Sequence, residues 1–519
     1  MFNSFRKSNN TANEKADTCS STTEDFVNIV SMDINYGESV ATTKETSALC
    51  VKITPKHDTI GLDAPHTSTE FCATMTARDL PEDDDFARAP VDIVVALDVS
   101  GSMSGRKLEL CKDTLSLLLR ELGTQDRFGL VVFGDEAKLE IPTRKLTKAS
   151  KSAALAKIKA LHTSGCTNMS GGIGLAAQEL QAVESPHEVR TIFLLTDGHA
   201  NRGISDKDGI VSLTKGCLGA TNERREIAIH CFGYGVDHDR VILGDISKAT
   251  EGGSYYFVDK DSDVSSAFGD ALGGVLSVVA QNTTISVRVS EEALALGVTI
   301  LDVKHDKSVK QADGSFVVPV GDFYAEESRD VIVEMTLPAR RDPDANINVK
   351  VKVNVNLPLI SVNLAYLDTI NKKLVTNEAV LGSVTRPDSN IVSKTNQYVA
   401  LQCIRIKTTK IISEAETIAE QGNLVEARSK IQAFVKEVEA EAEQLEVTTD
   451  PLITQLLSEL NTMLSGLASR ESYGSVGAKY MQTKSAQYTM QRCFESSDVA
   501  PNMYRSSKKS VMAARFKRG

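Results

Sequence analysis

The stretch VDIVVALDVSGSMSG spans residues 91–105, and its reading decides the fold. Its first half is apolar at nearly every position instead of at alternate ones. That pattern belongs to a strand covered on both faces, as in a parallel sheet flanked by helices. The run ends on Asp98, and hydroxyls follow at Ser100 and Ser102. Ligands of doubly wound sheets meet the carboxyl ends of the strands, so polar side chains at this position face the place of recognition.

Outward from this strand, residues 91–280 alternate apolar runs with amphipathic helical patterns. RKLELCKDTLSLLLREL places Leu108, Cys111, Leu115, Leu118 and Leu122 on one stripe, the spacing of a helix that buries a single face. RFGLVVFG and AKLEI read as strands parted by a Gly-Asp turn. VRTIFLLTDG, REIAIHCFGYG and GSYYFV read as further strands, with helices between them. The alternation predicts a doubly wound α/β domain over 91–280.

Beyond it the period drops to two. TTISVRVS, GVTILDV, SFVVPVG, RDVIVEMTL and NVKVKVNVNL predict antiparallel, half-buried strands of a β-sandwich-like domain over 282–366. Short β-type runs at 46–90, ALCVKITP and EFCATMTAR among them, lie on the other side of the α/β unit. They are expected to join that sandwich, which makes the α/β domain an insertion. Residues 391–470 read as an antiparallel helix pair broken at Gly422-Asn423, with a third helix in PLITQLLSELNTMLSGL. A polar arm at 1–25 and a basic tail at 473–519 are expected to be flexible.

Bulk properties narrow the function classes. With 58 basic against 69 acidic residues the net charge is −11, which disfavours nucleic acid and anionic membranes as general partners. The nine cysteines form no C-x-x-C pair, so reduced thiols in the cytoplasm are expected, not a disulfide framework or a zinc site. No signal-peptide pattern or membrane-length apolar run is found in the sequence.

Three polar loops belong to the α/β unit: DVSGS at 98–102, TSGCTNMSGG at 163–172 and LLTDG at 194–198. Together they offer carboxylates from Asp98 and Asp197 and hydroxyls from Ser100, Ser102 and Thr167. Oxygen donors without nitrogen or sulfur suit Mg²⁺, with Mn²⁺ or Ca²⁺ as alternatives, and argue against zinc or copper. Two carboxylates neutralise a divalent ion and leave room for an acidic side chain from a protein partner. Loops around Gly101, Asn168 and Gly198 are the expected partner-facing positions.

This D-x-S-x-S, Thr, Asp arrangement resembles the metal-ion-dependent adhesion site of von Willebrand factor type A (VWA) domains. The resemblance implies that Ser100 and Ser102 coordinate metal directly, that Thr167 does so in one conformational state, and that Asp98 and Asp197 act largely through water. APVDIVVALDVSGSM, CFGYGVDHD, GGSYYFV and AFGDALGGVLSVVAQ extend the likeness to plant ubiquitin ligases that join a RING finger to a VWA domain. The cysteine and histidine cluster of a RING is not found before residue 91. Inter-α-inhibitor-like proteins share a related layout.

Competing readings of single motifs are weaker. GSMSG would need serine where Met103 stands to act as a nucleophile elbow. GIGLAA follows a polar loop where a dinucleotide site needs a strand. His238 reads as a helix-start residue beside capping aspartates. The expectation is therefore a non-enzymatic scaffold for metal-dependent protein interaction. The alternatives are a non-catalytic subunit of a ubiquitin-ligase-like or other complex, and a self-assembling structural protein.

Overall fold

The computed structural model describes residues 47–65, 67–80, 88–197, 199–220, 226–258, 261–337, 356–493 and 504–518. The arm expected at 1–25 lies outside these residues, as do Gly198 and most of NVKVKVNVNL.

Two antiparallel strands, β1 (Leu49–Pro55) and β2 (Ser68–Ala77), precede the α/β module. The module runs through β3 (Val91–Asp98), the helix Arg106–Glu121, β4 (Arg127–Phe133), β5 (Ala137–Lys145) and the helices Lys148–Lys159 and Met169–Gln181. It continues with β6 (Val189–Thr196), the helix Lys207–Leu218, β7 (Ala228–Tyr234), the helix Arg240–Ser247, β8 (Ser254–Val258) and the helix Asp261–Val275. The sheet order is β5-β4-β3-β6-β7-β8. All neighbours are parallel except β4 and β5. The chain builds outward from β3 in one direction and from β6 in the other, so the strand order reverses between them.

The apolar run Ile93–Leu97 of β3 has its reason in this layering. Ile93, Val95 and Leu97 enter one core layer with Leu115, Leu118, Phe268 and Leu272. Val94 and Ala96 enter the other with Ile173, Leu180, Ile210 and Ile246. Successive side chains point to opposite faces, and both faces are covered. In the first layer Phe232 stacks on Phe268 at 4.1 Å, and Phe193 meets Phe232 edge-on at 5.5 Å.

The sandwich follows with β9 (Val278–Val289), β10 (Ile300–Lys304), β11 (Val309–Lys310), β12 (Phe316–Tyr324), β13 (Ser328–Thr336), β14 (Asn356–Asp368), β15 (Lys373–Thr376) and β16 (Val380–Thr385). One sheet has the order β1-β2-β13-β10; the other is β11-β12-β9-β14-β15, with β16 also on β14. The early strands do join the late ones: β2 pairs with β13, with Ala73 opposite Val331. The α/β module is thus inserted into the sandwich. Phe71, Met75, Val331 and Val333 share one core with Ile285, Val287, Val362 and Leu364.

The helices Gln397–Glu420, Leu424–Gln444 and Pro451–Gly466 follow, the first two turning at Gly422, whose φ of 88° is left-handed and suits glycine. Ile404, Ile412, Phe434, Val438, Leu456 and Leu460 form their common core. Among the described residues no helix is long and apolar enough to cross a membrane.

The tail departs from expectation. A flexible basic segment is expected over 473–519, of which 494–503 and 519 lie outside the described residues; among the described ones, the helix Ala478–Met490 joins the helical core through Met481 and Tyr488. The helix Ser507–Arg518 lies along Asp261–Val275 of the α/β module. The physical reason is twofold. Met512 and Phe516 extend the apolar layer of the α/β core. Gly269 and Gly273 let the two helix backbones touch: a Cβ on Gly269 would stand 2.4 Å from Ala513 Cα, and one on Gly273 2.8 Å from Lys509 Cα. Gly269→Val should therefore lift the terminal helix off, at a cost of about 1–3 kcal/mol. Hydrogen exchange should show protection lost over 507–518 and kept over 106–121.

The same segment carries buried charge. Arg492 Nε donates to Glu327 Oε1 at 2.9 Å, and Lys509 Nζ donates to Asp270 Oδ2 at 3.0 Å. Tyr256 Oη also donates to Asp270 Oδ2, at 2.9 Å, and Arg329 Nη2 to Glu327 Oε2 at 2.8 Å. Burial alone would raise the Glu327 carboxyl, but Arg492 and then Arg329 outweigh it and hold it at about 2. The C-terminal segment thus supplies cations to one carboxylate of the α/β module and to one of the sandwich.

Candidate metal site

Asp98 closes β3 and Asp197 follows β6, so the strand reversal between β3 and β6 brings their carboxylates to one edge. Asp98 is fully buried, and Asp197 and Ser100 nearly so. Ser100 N donates to Asp98 Oδ1 at 2.8 Å, and Thr196 Oγ1 donates to Asp98 Oδ2 at 2.6 Å. Ser102 Oγ donates to Asp197 Oδ1 at 2.7 Å and lies 3.0 Å from Ser100 Oγ. Hydroxyls therefore link the first and third loops into one polar cluster. Burial pushes the Asp98 carboxyl up, and the nearby charge of Asp197 adds to the rise.

The second loop is stitched to the others mainly by backbone. Ser164 N donates to Val99 O at 2.7 Å and Gly101 N to Gly165 O at 3.1 Å. Gly165 has a φ of 78° and packs so tightly on Asp135 that a Cβ would collide with its carboxylate at 2.3 Å. Thr167 is buried; its amide donates to Asn201 Oδ1 at 2.8 Å, and its carbonyl accepts from Asn201 N at 3.1 Å. Asn168 caps the helix Met169–Gln181, accepting from Gly171 N at 3.0 Å. Four of the five candidate residues, Asp98, Ser100, Ser102 and Asp197, are thus linked through side chains, while Thr167 stands in the second loop with its backbone bonded to Asn201. Gly101 lies on the same edge, while Gly198 is outside the described residues.

Helix capping does not account for the opening serines among the described contacts. Ser100 precedes a short turn, Gly101–Met103, without a side-chain capping bond, and the N-cap of Arg106–Glu121 is Gly105. His238 behaves as its neighbours dictate. Asp239 caps the helix Arg240–Ser247, accepting from Val241 N and Ile242 N at 3.0 Å each. His238 itself is buried, with Nδ1 2.5 Å from Gly235 O and Nε2 2.5 Å from Tyr255 Oη. Burial lowers its pKa to about 4, so it is a neutral structural histidine near pH 7.

Two residues at the edge escape the motif reading. Asn201 anchors the second loop, and the Lys107 ammonium pairs with Asp197 Oδ2. Neither stands at a position of the D-x-S-x-S, Thr, Asp pattern. Lysine five residues past a serine carries no signal of its own.

The chemistry of the donors fits a hard divalent cation. Asp98 receives hydrogen bonds from the neutral donors Ser100 and Thr196, so its buried charge has no basic partner among the described contacts. Among the described residues no group of three or more His, Cys, Asp or Glu could hold a metal unaided. A cation at this edge would therefore depend on hydroxyl oxygens, as Mg²⁺ tolerates and zinc does not favour.

The sheet is parallel except at β4–β5 and carries an Asp-Ser-Ser loop beyond β3, its first strand. Residues 92–270 match the family model of the von Willebrand factor type A domain. The chain is 29% identical over 254 residues to the E3 ubiquitin-protein ligase WAV3 of Arabidopsis thaliana, a match covering 49% of this chain and 32% of that protein. It is 24% identical over 245 residues to the human inter-alpha-trypsin inhibitor heavy chain H3, covering 46% and 26%. The chain thus spans about a third or less of the length of either relative. The solved von Willebrand factor type A protein from Catenulispora acidiphila shares the fold over 85% of this chain and 96% of its own, with TM-score 0.60 at 16% identity. The ArnB paralog VWA2 from Sulfolobus acidocaldarius does so with TM-score 0.51 at 14% identity, over 85% and 98%.

Proposed function

We propose that Asp98, Ser100, Ser102, Thr167 and Asp197 hold a divalent cation, Mg²⁺ before Mn²⁺ or Ca²⁺, at which the protein receives an acidic side chain of a partner protein. The observation that carries this reading is the pair of buried carboxylates joined through Ser100 and Ser102 at the strand-order reversal. The bound ion would supply positive charge to a partner's carboxylate. The chain's own part is to hold hydroxyls and carboxylates in place and to present them at an open rim. On this reading the role is non-enzymatic, resting on cation-mediated binding in place of a side-chain nucleophile. The sandwich and helical regions act as the scaffold. The described cysteines are free, which supports the reducing cytoplasm as its compartment.

Titration calorimetry with Mg²⁺ tests the site. Asp98→Asn, which keeps the shape of the side chain, and Asp98→Ala should each weaken binding by about tenfold or more. Unchanged affinity in both would overturn the assignment. Affinity purification with and without EDTA should then lose the partner when the metal is removed.

A second reading rests on the similarity to WAV3, which spans 254 residues. On this reading the chain is a non-catalytic subunit of a ubiquitin-ligase assembly, and the EDTA-sensitive partner is a RING protein or a ubiquitin-conjugating enzyme. Self-assembly through the basic tail is the weaker alternative, because Arg492 and Lys509 are already consumed by Glu327 and Asp270 of the same chain.

A further inference from the structure

Lys107 is the second residue of the helix Arg106–Glu121, and its ammonium reaches the Asp197 carboxylate. The Lys107 side chain is 41% exposed, whereas that of Asp197 is wholly covered. Asp197 is thus held on one oxygen by the Ser102 hydroxyl and on the other by a full positive charge. Asp98, a neighbour through Ser100 and Ser102, has neutral donors instead. The edge therefore sets two carboxylates against one ammonium. A divalent ion would overfill it, since the ion alone neutralises both carboxylates and repels a cation beside it.

We propose that Lys107 is the resident counter-cation of this edge, and that a divalent ion enters by displacing its ammonium from Asp197. The inference rests on the metal-site reading above. Local structure favours the exchange. Lys107 sits in the first turn of its helix, where the macrodipole is positive and a cation is held only by its partner. Glu109, on the same turn, is already paired with Lys112 at 2.9 Å. The flexible stem and the part-exposed head give the ammonium a direct way into solvent. In the ion-free protein Lys107 screens Asp197 and keeps the edge formed; when the ion binds, the ammonium leaves. Metal affinity is then set by this internal competitor as well as by the ligands.

Two measurements on the full chain test the exchange. The first is amine acetylation with an N-hydroxysuccinimide ester, read by mass spectrometry in EDTA and in Mg²⁺. Lys107 should label about twofold or more faster in Mg²⁺, with Lys112 and Lys138 unchanged. The second is Mg²⁺ titration calorimetry on Lys107→Met, which keeps the length of the stem and removes the charge. Its affinity should rise about three- to fivefold, the size set by a part-exposed ion pair. If Asp98→Asn abolishes Mg²⁺ binding while Lys107 labelling and Lys107→Met affinity stay at wild-type values, the competitor role is overturned and the metal site stands. If wild type and Lys107→Met both take up no Mg²⁺, both readings fall together.

Discussion

Replacing Lys509 by Met is expected to destabilise the protein by about 3–5 kcal/mol, the cost of leaving a buried carboxylate without its main cation. Lys509 and Asp270 are only 1% and 0% exposed, and the ammonium donates to Asp270 Oδ2 at 3.0 Å and to Cys493 O at 3.1 Å. Tyr256 can still donate to Asp270, and Arg505 lies 3.9 Å from its other oxygen, but neither replaces a direct ammonium contact. The paired change Lys509→Met with Asp270→Asn should recover most of the loss, because removing both charges is far cheaper than removing one. Hydrogen exchange over the helix Asp261–Val275 reads the effect locally. Equal stability of the single and double variants would show that the charge pair is not what holds this junction.

Glu226 should make the stability pH-dependent in the opposite sense to an ordinary carboxylate. Burial pushes its carboxyl up to about 8, and the charges of Glu251 and then Asp322 add to the rise. The folded state therefore holds this proton more tightly than the unfolded chain, whose carboxyl titrates near 4.5. The stabilisation is full below that value and is lost as pH rises from about 4.5 through 8, at most about 1.4 kcal/mol for each pH unit. With the residue partly exposed and Lys307 nearby, a total on the order of 3 kcal/mol is expected. Glu226→Gln keeps an acceptor for the Glu251 amide and removes the titration. Melting temperatures of variant and wild type should converge below pH 4.5 and separate up to pH 8, with the variant the more stable. Parallel curves across that range would refute the assignment.

The parts of this molecule that could be read from sequence are those whose cause is local. The apolar run of β3 records a strand covered twice, and the change to a period of two after residue 280 records a sheet covered once. The insertion was legible because Phe71 and Met75 lie in β-type runs too short to form a core alone. Asp98, Ser100 and Ser102 were legible for a similar reason, since the loop spacing places them together.

What escaped has causes distant in sequence. The segment 473–519 reads as solvated because nine of its residues are Lys or Arg. The acceptors that bury Arg492 and Lys509 are Glu327 and Asp270, in other modules. Gly269 and Gly273 carry no sign in sequence that a helix backbone lies on them. Lys107 was missed because an amphipathic helix is expected to send its lysines to water, and only the fold shows that this one turns toward Asp197.

The pairing of β2 with β13 also has a consequence for how the chain is made. Ala77 and Ser328 are separated by the whole α/β module, so β2 leaves the ribosome well before its partner exists. At 5–20 residues per second the wait is roughly 10–50 s, long enough for the inserted module to begin folding between the two halves of an unfinished sheet. During that interval β1 and β2 form at most an isolated hairpin with its apolar face and one edge open. Newly made chains should therefore be most prone to mispairing and chaperone capture at residues 68–77, a vulnerability that ends when β13 arrives.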